Sequence, residues 1–330
     1  MTVFLPVLAV VAGLAVLVWS ADRFVDGAAA TARLLGAPPL LIGMVVIGFG
    51  TSAPELTVSA LSALQGNPAI ALGNAYGSNI CNVALILGLT AVIAPVVVRR
   101  SVTRRELPPV LLATVFSGWL LRDNALSRGE AFALLGLFAL LMALSVRAAR
   151  RAAPTGAAGG ADADPAARRA DRPGAAMRDV ILGLVLLVAS SRALVWGAVG
   201  LARAAGVSDL IVGLTVVAVG TSLPELASSV AAARKGEDDL AVGNVVGSNL
   251  FNTLAVVGLA GAIRPMPGVD PEILTRDLSV TLGVTALLLL FGWPWRRGRP
   301  DGRLSRTAGA LFLASYAAYL FLLVRAALSA

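Results

Sequence analysis

Two glutamates carry the chemistry open to this chain. Glu55 closes the stretch Gly48-Phe49-Gly50-Thr51-Ser52-Ala53-Pro54-Glu55, and Glu225 closes Ala218-Val219-Gly220-Thr221-Ser222-Leu223-Pro224-Glu225. Each lies inside a long apolar run, where an ionised carboxylate costs about 2.5–3.5 kcal/mol on insertion scales and marks function. A proline lacks the N–H and clashes with the carbonyl four residues back. Pro54 is therefore expected to release the carbonyl of Gly50, and Pro224 that of Gly220. At membrane depth a released carbonyl needs a donor, water or a cation. On a continuous helix Thr51, Glu55 and Ser59 share one face at i, i+4 and i+8, as do Thr221, Glu225 and Ser229.

A second stretch accompanies each glutamate. It reads Gly73-Asn74-Ala75-Tyr76-Gly77-Ser78-Asn79 and Gly243-Asn244-Val245-Val246-Gly247-Ser248-Asn249, which puts Asn74, Ser78 and Asn82 on one helical face and Asn244, Ser248 and Asn252 on another. The glycines four apart, Gly73 with Gly77 and Gly243 with Gly247, let two backbones approach closely. The collected donors are carboxylates, hydroxyls, amide oxygens and carbonyls. The chain has no histidine and one cysteine, Cys81, so thiolate clusters and internal disulfides are excluded. An all-oxygen set suits hard ions such as Na⁺, Ca²⁺ or Mg²⁺ rather than zinc or copper. One Ca²⁺, two Na⁺ or two protons would each balance the two carboxylates. A pocket that different cations satisfy only in turn is the physical basis of antiport.

The elements that must position these residues are membrane helices. With 57% hydrophobic and 14% charged residues and a mean hydropathy of +0.83, the 330-residue chain reads as an all-α polytopic membrane protein. A bilayer core takes about 20 helical residues to cross. The apolar runs predict ten transmembrane helices, at roughly 3–19, 38–64, 68–94, 107–121, 130–146, 180–201, 209–233, 240–263, 274–292 and 307–328. No Lys or Arg precedes the first run, which therefore reads as a span and not as a signal peptide. The +8 charge needs no nucleic acid to explain it. With the N-terminus outside, 20 of the 27 basic residues fall in inside loops, a positive-inside bias that puts both termini outside; the expected location is the plasma (inner) membrane.

Shifting the sequence by 170 residues aligns Gly43–Pro95 with Gly213–Pro265, with 22 identities in 53 positions and no gap. The chain then divides into a first five-helix repeat at 1–146 with its hairpin at 43–95, a flexible cytoplasmic linker at 147–178, and a second repeat at 179–330 with its hairpin at 213–265. An odd number of spans per half gives inverted topology, a feature of secondary transporters whose site lies where the halves meet.

At these motifs the sequence resembles the cation/calcium exchanger superfamily, and within it the prokaryotic sodium/calcium exchanger branch. Both signatures, Gly-Thr-Ser-x-Pro-Glu and Gly-Asn-x-x-Gly-Ser-Asn, occur in each repeat. The resemblance implies an electrogenic antiporter that exchanges Na⁺ for Ca²⁺ by alternating access and expels Ca²⁺. It implies that Glu55 and Glu225 ligate the central divalent ion with the carbonyls of Thr51 and Thr221. Flanking Na⁺ sites are then expected from Ser52, Ser78, Ser222 and Ser248 with the carbonyls of Gly48 and Ala218, and the first and sixth spans are expected to slide as gates. Asn82 and Asn252 complete the expected set; some relatives carry Asp at the second of these positions, and its neutrality here argues against potassium co-transport. No cofactor is expected beyond the transported ions, and no partner beyond the lipid bilayer. An exchanger of the same fold driven by protons or moving another cation is the alternative. An intramembrane hydrolase would need a nucleophile with a base, and no histidine is present to serve a serine. A channel would need a site that releases ions faster than a tight oxygen cage does.

Overall fold

The computed structural model describes residues 4–66, 68–152, 172–205, 218–295 and 300–329. Long helices dominate it. They are α1 (Phe4–Leu35), the bent pair α2 (Pro39–Thr51) and α3 (Ala53–Leu64), α4 (Ile70–Ile93), α5 (Leu107–Leu120), α6 (Arg128–Ala148) and α7 (Pro173–Ala202). The short α8 (Ala218–Thr221) and α9 (Leu223–Arg234) follow, then α10 (Asp238–Ile263), α11 (Ile273–Gly292) and α12 (Arg306–Arg325). Seven of these are long and apolar enough to cross a membrane, and an eighth span results if α2 and α3 count together. Of the other two expected spans, the one at 107–121 is α5, a helix of only 14 residues. The one at 209–233 begins outside the described residues, as do Gly213 and residues 153–171 of the expected linker. Outward apolar side chains such as Leu112, Phe132 and Phe321 are exposed, as expected for a lipid-facing surface.

Among the described residues one two-stranded sheet departs from all-α. Pro95 ends a helical run, and the β-branched Val96–Val98 (β1) pair antiparallel with Gly302–Leu304 (β2). Asp238 accepts the Val97 amide at 2.9 Å, Asp301 accepts that of Arg100 at 2.9 Å, and Arg99 pairs with Asp239 at 2.8 Å. This small clip fastens the start of α10 to both halves of the chain.

α1 and α7 lie antiparallel and touch through backbone. A Cβ on Gly27 would stand 2.6 Å from the Val180 nitrogen, and one on Gly197 would stand 2.5 Å from the Pro6 carbonyl oxygen. Gly27 and Gly197 are related by the 170-residue shift, as are Gly13, which abuts Ser190 and Leu194, and Gly183, which abuts Phe24. Each glycine admits the neighbouring helix where any side chain would hold it off. At one end Lys235, just beyond α9, reaches back to α1 and meets Asp26 at 2.7 Å and Asp22 at 3.4 Å.

A second close crossing locks the hairpins together. Gly43 of α2 meets Gly243 of α10, and a Cβ on Gly247 would lie 2.5 Å from the Met44 carbonyl oxygen. Several helices also widen locally to π-type turns, at Gly43–Gly48, Cys81–Leu87, Phe251–Val256 and Ile273–Leu278. Such bulges are frequent at functional sites.

Candidate functional site

The helix that was expected to carry Thr51 and Glu55 on one face is broken between them. Ser52 leaves helical geometry at φ −80°, ψ 5°, and α2 and α3 meet at 45°. Ser222 does the same at φ −94°, ψ 9°. The break follows from Pro54 and Pro224, which sit in the first turns of α3 and α9 where a missing N–H costs nothing. Thr51 therefore ends one half-helix, while Glu55 stands in the first turn of the next, where the helix dipole favours a carboxylate. The i, i+4, i+8 reading fails across this break, although it holds from Glu55 to Ser59.

Both glutamates are 1% exposed. The Ser52 hydroxyl donates to Glu225 Oε1 at 3.3 Å, a bond that crosses from one sequence repeat to the other. Glu225 also faces Thr51. Glu55 faces Ser222 and Ser78, though the Ser222 hydroxyl does not reach hydrogen-bonding geometry with it. The carboxylates repel one another, and no Arg or Lys of the described residues acts on either.

Two asparagines hold the hairpins in register. Asn74 Nδ2 donates to the Glu55 carbonyl at 3.1 Å and to Ser59 Oγ at 2.9 Å. Asn244 Nδ2 lies within reach of the Glu225 carbonyl at 3.1 Å, Ser228 Oγ at 3.1 Å and Ser229 Oγ at 2.8 Å, and its Oδ1 accepts from Thr51 Oγ1 at 3.1 Å. The Ser248 hydroxyl donates to the Gly48 carbonyl at 3.3 Å, which also accepts the Ser52 amide. Ala218 opens the half-helix α8, and Thr221 closes it and shares a cavity wall with Ser78. The carbonyl of Gly220, expected to be free, accepts the Ser191 hydroxyl at 2.9 Å instead.

Asn82 and Asn252 are both buried, but each lies in a π-type turn that rotates the residues beyond it off the expected face. The structure also brings in residues that the i, i+4, i+8 faces omit. Asn82 Nδ2 donates to Asn249 Oδ1 at 3.1 Å, and Asn79 Nδ2 donates to Thr253 Oγ1 at 2.7 Å. The identical placing of Asn79 and Asn249 in the two repeats was the available signal for them. Ser191 gave none, because Ala21 stands at its equivalent position.

Six buried side-chain atoms have no hydrogen-bond partner among the described residues, and all are oxygens: Glu55 Oε2, Glu225 Oε2, Ser222 Oγ, Asn79 Oδ1, Asn82 Oδ1 and Asn252 Oδ1. An unpaired buried acceptor costs about 1–3 kcal/mol, and more when charged. Two of the six belong to the carboxylates themselves and the other four to neutral side chains of the same hairpins, an all-oxygen set for which a hard cation is the fitting guest.

The family model described as sodium/calcium exchanger protein matches residues 5–147 and 180–325. The inner membrane protein YrbG of Escherichia coli is 42% identical over 298 residues, spanning 89% of this chain and 90% of the relative. The sodium/calcium exchanger MaX1 of Methanosarcina acetivorans is 28% identical over 348 residues, covering 94% of this chain and 96% of its own length. Among solved structures, the sodium-calcium exchanger NCX_Mj soaked with Na⁺ and Ca²⁺ superposes with a TM-score of 0.79 at 30% identity, with 98% of each chain covered.

Proposed function

We propose, from the premise that this chain belongs to the sodium/calcium exchanger protein family, that it exchanges Na⁺ for Ca²⁺ across the plasma membrane and expels Ca²⁺. Membership makes it a cation antiporter with a polytopic helical membrane fold. The choice of ions rests on the site, and the direction on the resemblance. The main support for that choice is the set of six buried oxygens, two of them from the carboxylates, that have no partner among the described residues, with no Arg or Lys of those residues paired to either glutamate. Ca²⁺ matches the charge of both glutamates at once, and Na⁺ ions match it separately, so the two guests exclude each other.

In this reading Glu55 and Glu225 hold Ca²⁺ with the backbone of Thr51 and Thr221. Ser52, Ser78, Ser222 and Ser248, with the carbonyls of Gly48 and Ala218, serve the Na⁺ positions. Asn82 and Asn252 complete the cage as neutral ligands, which leaves no third carboxylate for a potassium ion. The repeats run as two inverted sets of five spans, with both termini outside and the 147–178 linker cytoplasmic. The antiparallel packing of α1 on α7 agrees with that topology, because helices related by the 170-residue shift point in opposite directions. That pair is the element which slides between outward and inward access.

The test is flux. Vesicles loaded with Na⁺ and diluted into Na⁺-free buffer take up ⁴⁵Ca²⁺ if the reading holds. Uptake indifferent to the Na⁺ gradient, or Ca²⁺ flux without Na⁺ that follows an imposed pH gradient, gives the exchange to protons instead.

A further inference from the structure

A cavity of ≈ 480 Å³ joins the site to a second charged group. Ser78 and Thr221 line one part of it, and Arg276, Asp277, Tyr316 and Tyr319 line another. Asp277 is 3% exposed, a buried carboxylate that the reading above does not use. Arg276 donates to its two oxygens, from Nε at 2.8 Å and from Nη2 at 3.3 Å, and Tyr319 donates to Oδ1 at 3.0 Å. Arg276 also pairs with Glu272.

The members of this pair differ in freedom: the Arg276 side chain is 23% exposed and that of Asp277 only 5%. The guanidinium can therefore leave while the carboxylate stays. Among the described residues, Arg276 and Asp277 are the ionisable acid and base on the cavity wall, so they set the charge an arriving cation meets.

We propose that Asp277 attracts cations along this cavity toward the glutamate site, and that Arg276 is a tethered competitor which sets how much of that attraction an arriving cation feels. The inference rests on the exchanger reading. With Arg276 in place, Asp277 is neutralised and the cavity favours no charged guest. Once a cation reaches the carboxylate, the guanidinium keeps Glu272 as its partner and swings toward solvent. A divalent ion gains more from this exchange than a monovalent one, so the pair biases access toward Ca²⁺.

The experiment measures half-saturating Ca²⁺ for Na⁺-driven uptake in proteoliposomes at low and high ionic strength. Arg276→Gln lowers it about 3- to 10-fold at low salt, and the difference shrinks as screening rises. Asp277→Asn raises it, the double variant, with neither charge on the wall, stays well below Asp277→Asn, and Arg276→Lys stays near wild type. Unchanged half-saturation in Arg276→Gln overturns the proposal, as does an Asp277→Asn variant that keeps the wild-type value. A purely structural pair would instead lower thermal stability and maximal flux with no salt-dependent change in half-saturation. Should Asp277→Asn not fold, the contrast of Arg276→Gln with Arg276→Lys decides. Should wild type show no Na⁺-driven uptake, the exchanger reading fails by itself; calorimetric Ca²⁺ titration of wild type and Arg276→Gln then decides the inference, with equal affinities overturning it.

Discussion

The two hairpins share 22 of 53 aligned residues, yet the structure uses them differently. In the second, Asn244 is fully buried and its side chain meets Glu225, Ser228, Ser229 and Thr51. Its flanking glycines are pressed against Leu40 and Met44. In the first, Asn74 is half-buried and meets Glu55 and Ser59, and Gly73 beside it is exposed. Ser191 covers the Gly220 carbonyl, while Ala21 has no hydroxyl to offer at the equivalent place. The second hairpin is thus braced on this face and the first is looser. Near-identical motifs set the polar groups, and the surroundings decide how firmly each set is held.

Removing either carboxylate should have the largest effect and tests whether the two halves remain equal where it matters most. Glu55→Gln and Glu225→Gln should each lower ⁴⁵Ca²⁺ exchange by about 100-fold or more, since each strips a buried charge from the shared cage. Appreciable exchange surviving in one of them would break the symmetry of the site itself. Glycine substitutions come next. Gly247→Ala drives a methyl into the Met44 backbone and should cost about 3 kcal/mol, whereas Gly73→Ala should stay within about 1 kcal/mol of wild type. The single free thiol, Cys81, is buried and reports unfolding by its reactivity with a fluorogenic maleimide.

The asparagines sharpen the comparison further. Asn244→Ala leaves more buried groups unpaired than Asn74→Ala does, and should cost about 2–3 kcal/mol against about 1 kcal/mol, read by the same thiol assay. Equal costs would show that the extra contacts of Asn244 contribute little. Ser191→Ala should have a comparably small effect, about 1 kcal/mol. If it leaves stability untouched but slows flux, the Gly220 carbonyl belongs to the ion path after all.

Much of this site was legible in the chain because duplication repeats whatever is needed. Glu55 and Glu225, with Thr51, Ser52, Ser78 and their copies, were marked by polarity in an apolar setting and by recurrence at a fixed shift. The helical wheel was the weaker instrument. It assumes a constant turn angle, and the breaks at Ser52 and Ser222 and the wide turns at Cys81–Leu87 and Phe251–Val256 violate that assumption near the ligands. Asn79 and Asn249 stand in both signature stretches but off the faces the wheel drew, and Thr253 lies in a wide turn, so their bonds between the hairpins emerged only from the structure. The strands β1 and β2 were hidden for another reason: three valines after a proline say nothing about a partner some 200 residues away.

The glycine contacts between α1 and α7 bear on leakage. Two helices that touch through their backbones cannot slip past one another by trading side-chain rotamers, so any displacement of one carries the other. If the pair is the sliding element, both gates are faces of a single rigid body with one coordinate of motion. Opening toward one side of the membrane then closes the other by geometry. A state open at both ends would require prising those backbones apart, and that mechanical linkage would keep a cation gradient from draining through the antiporter.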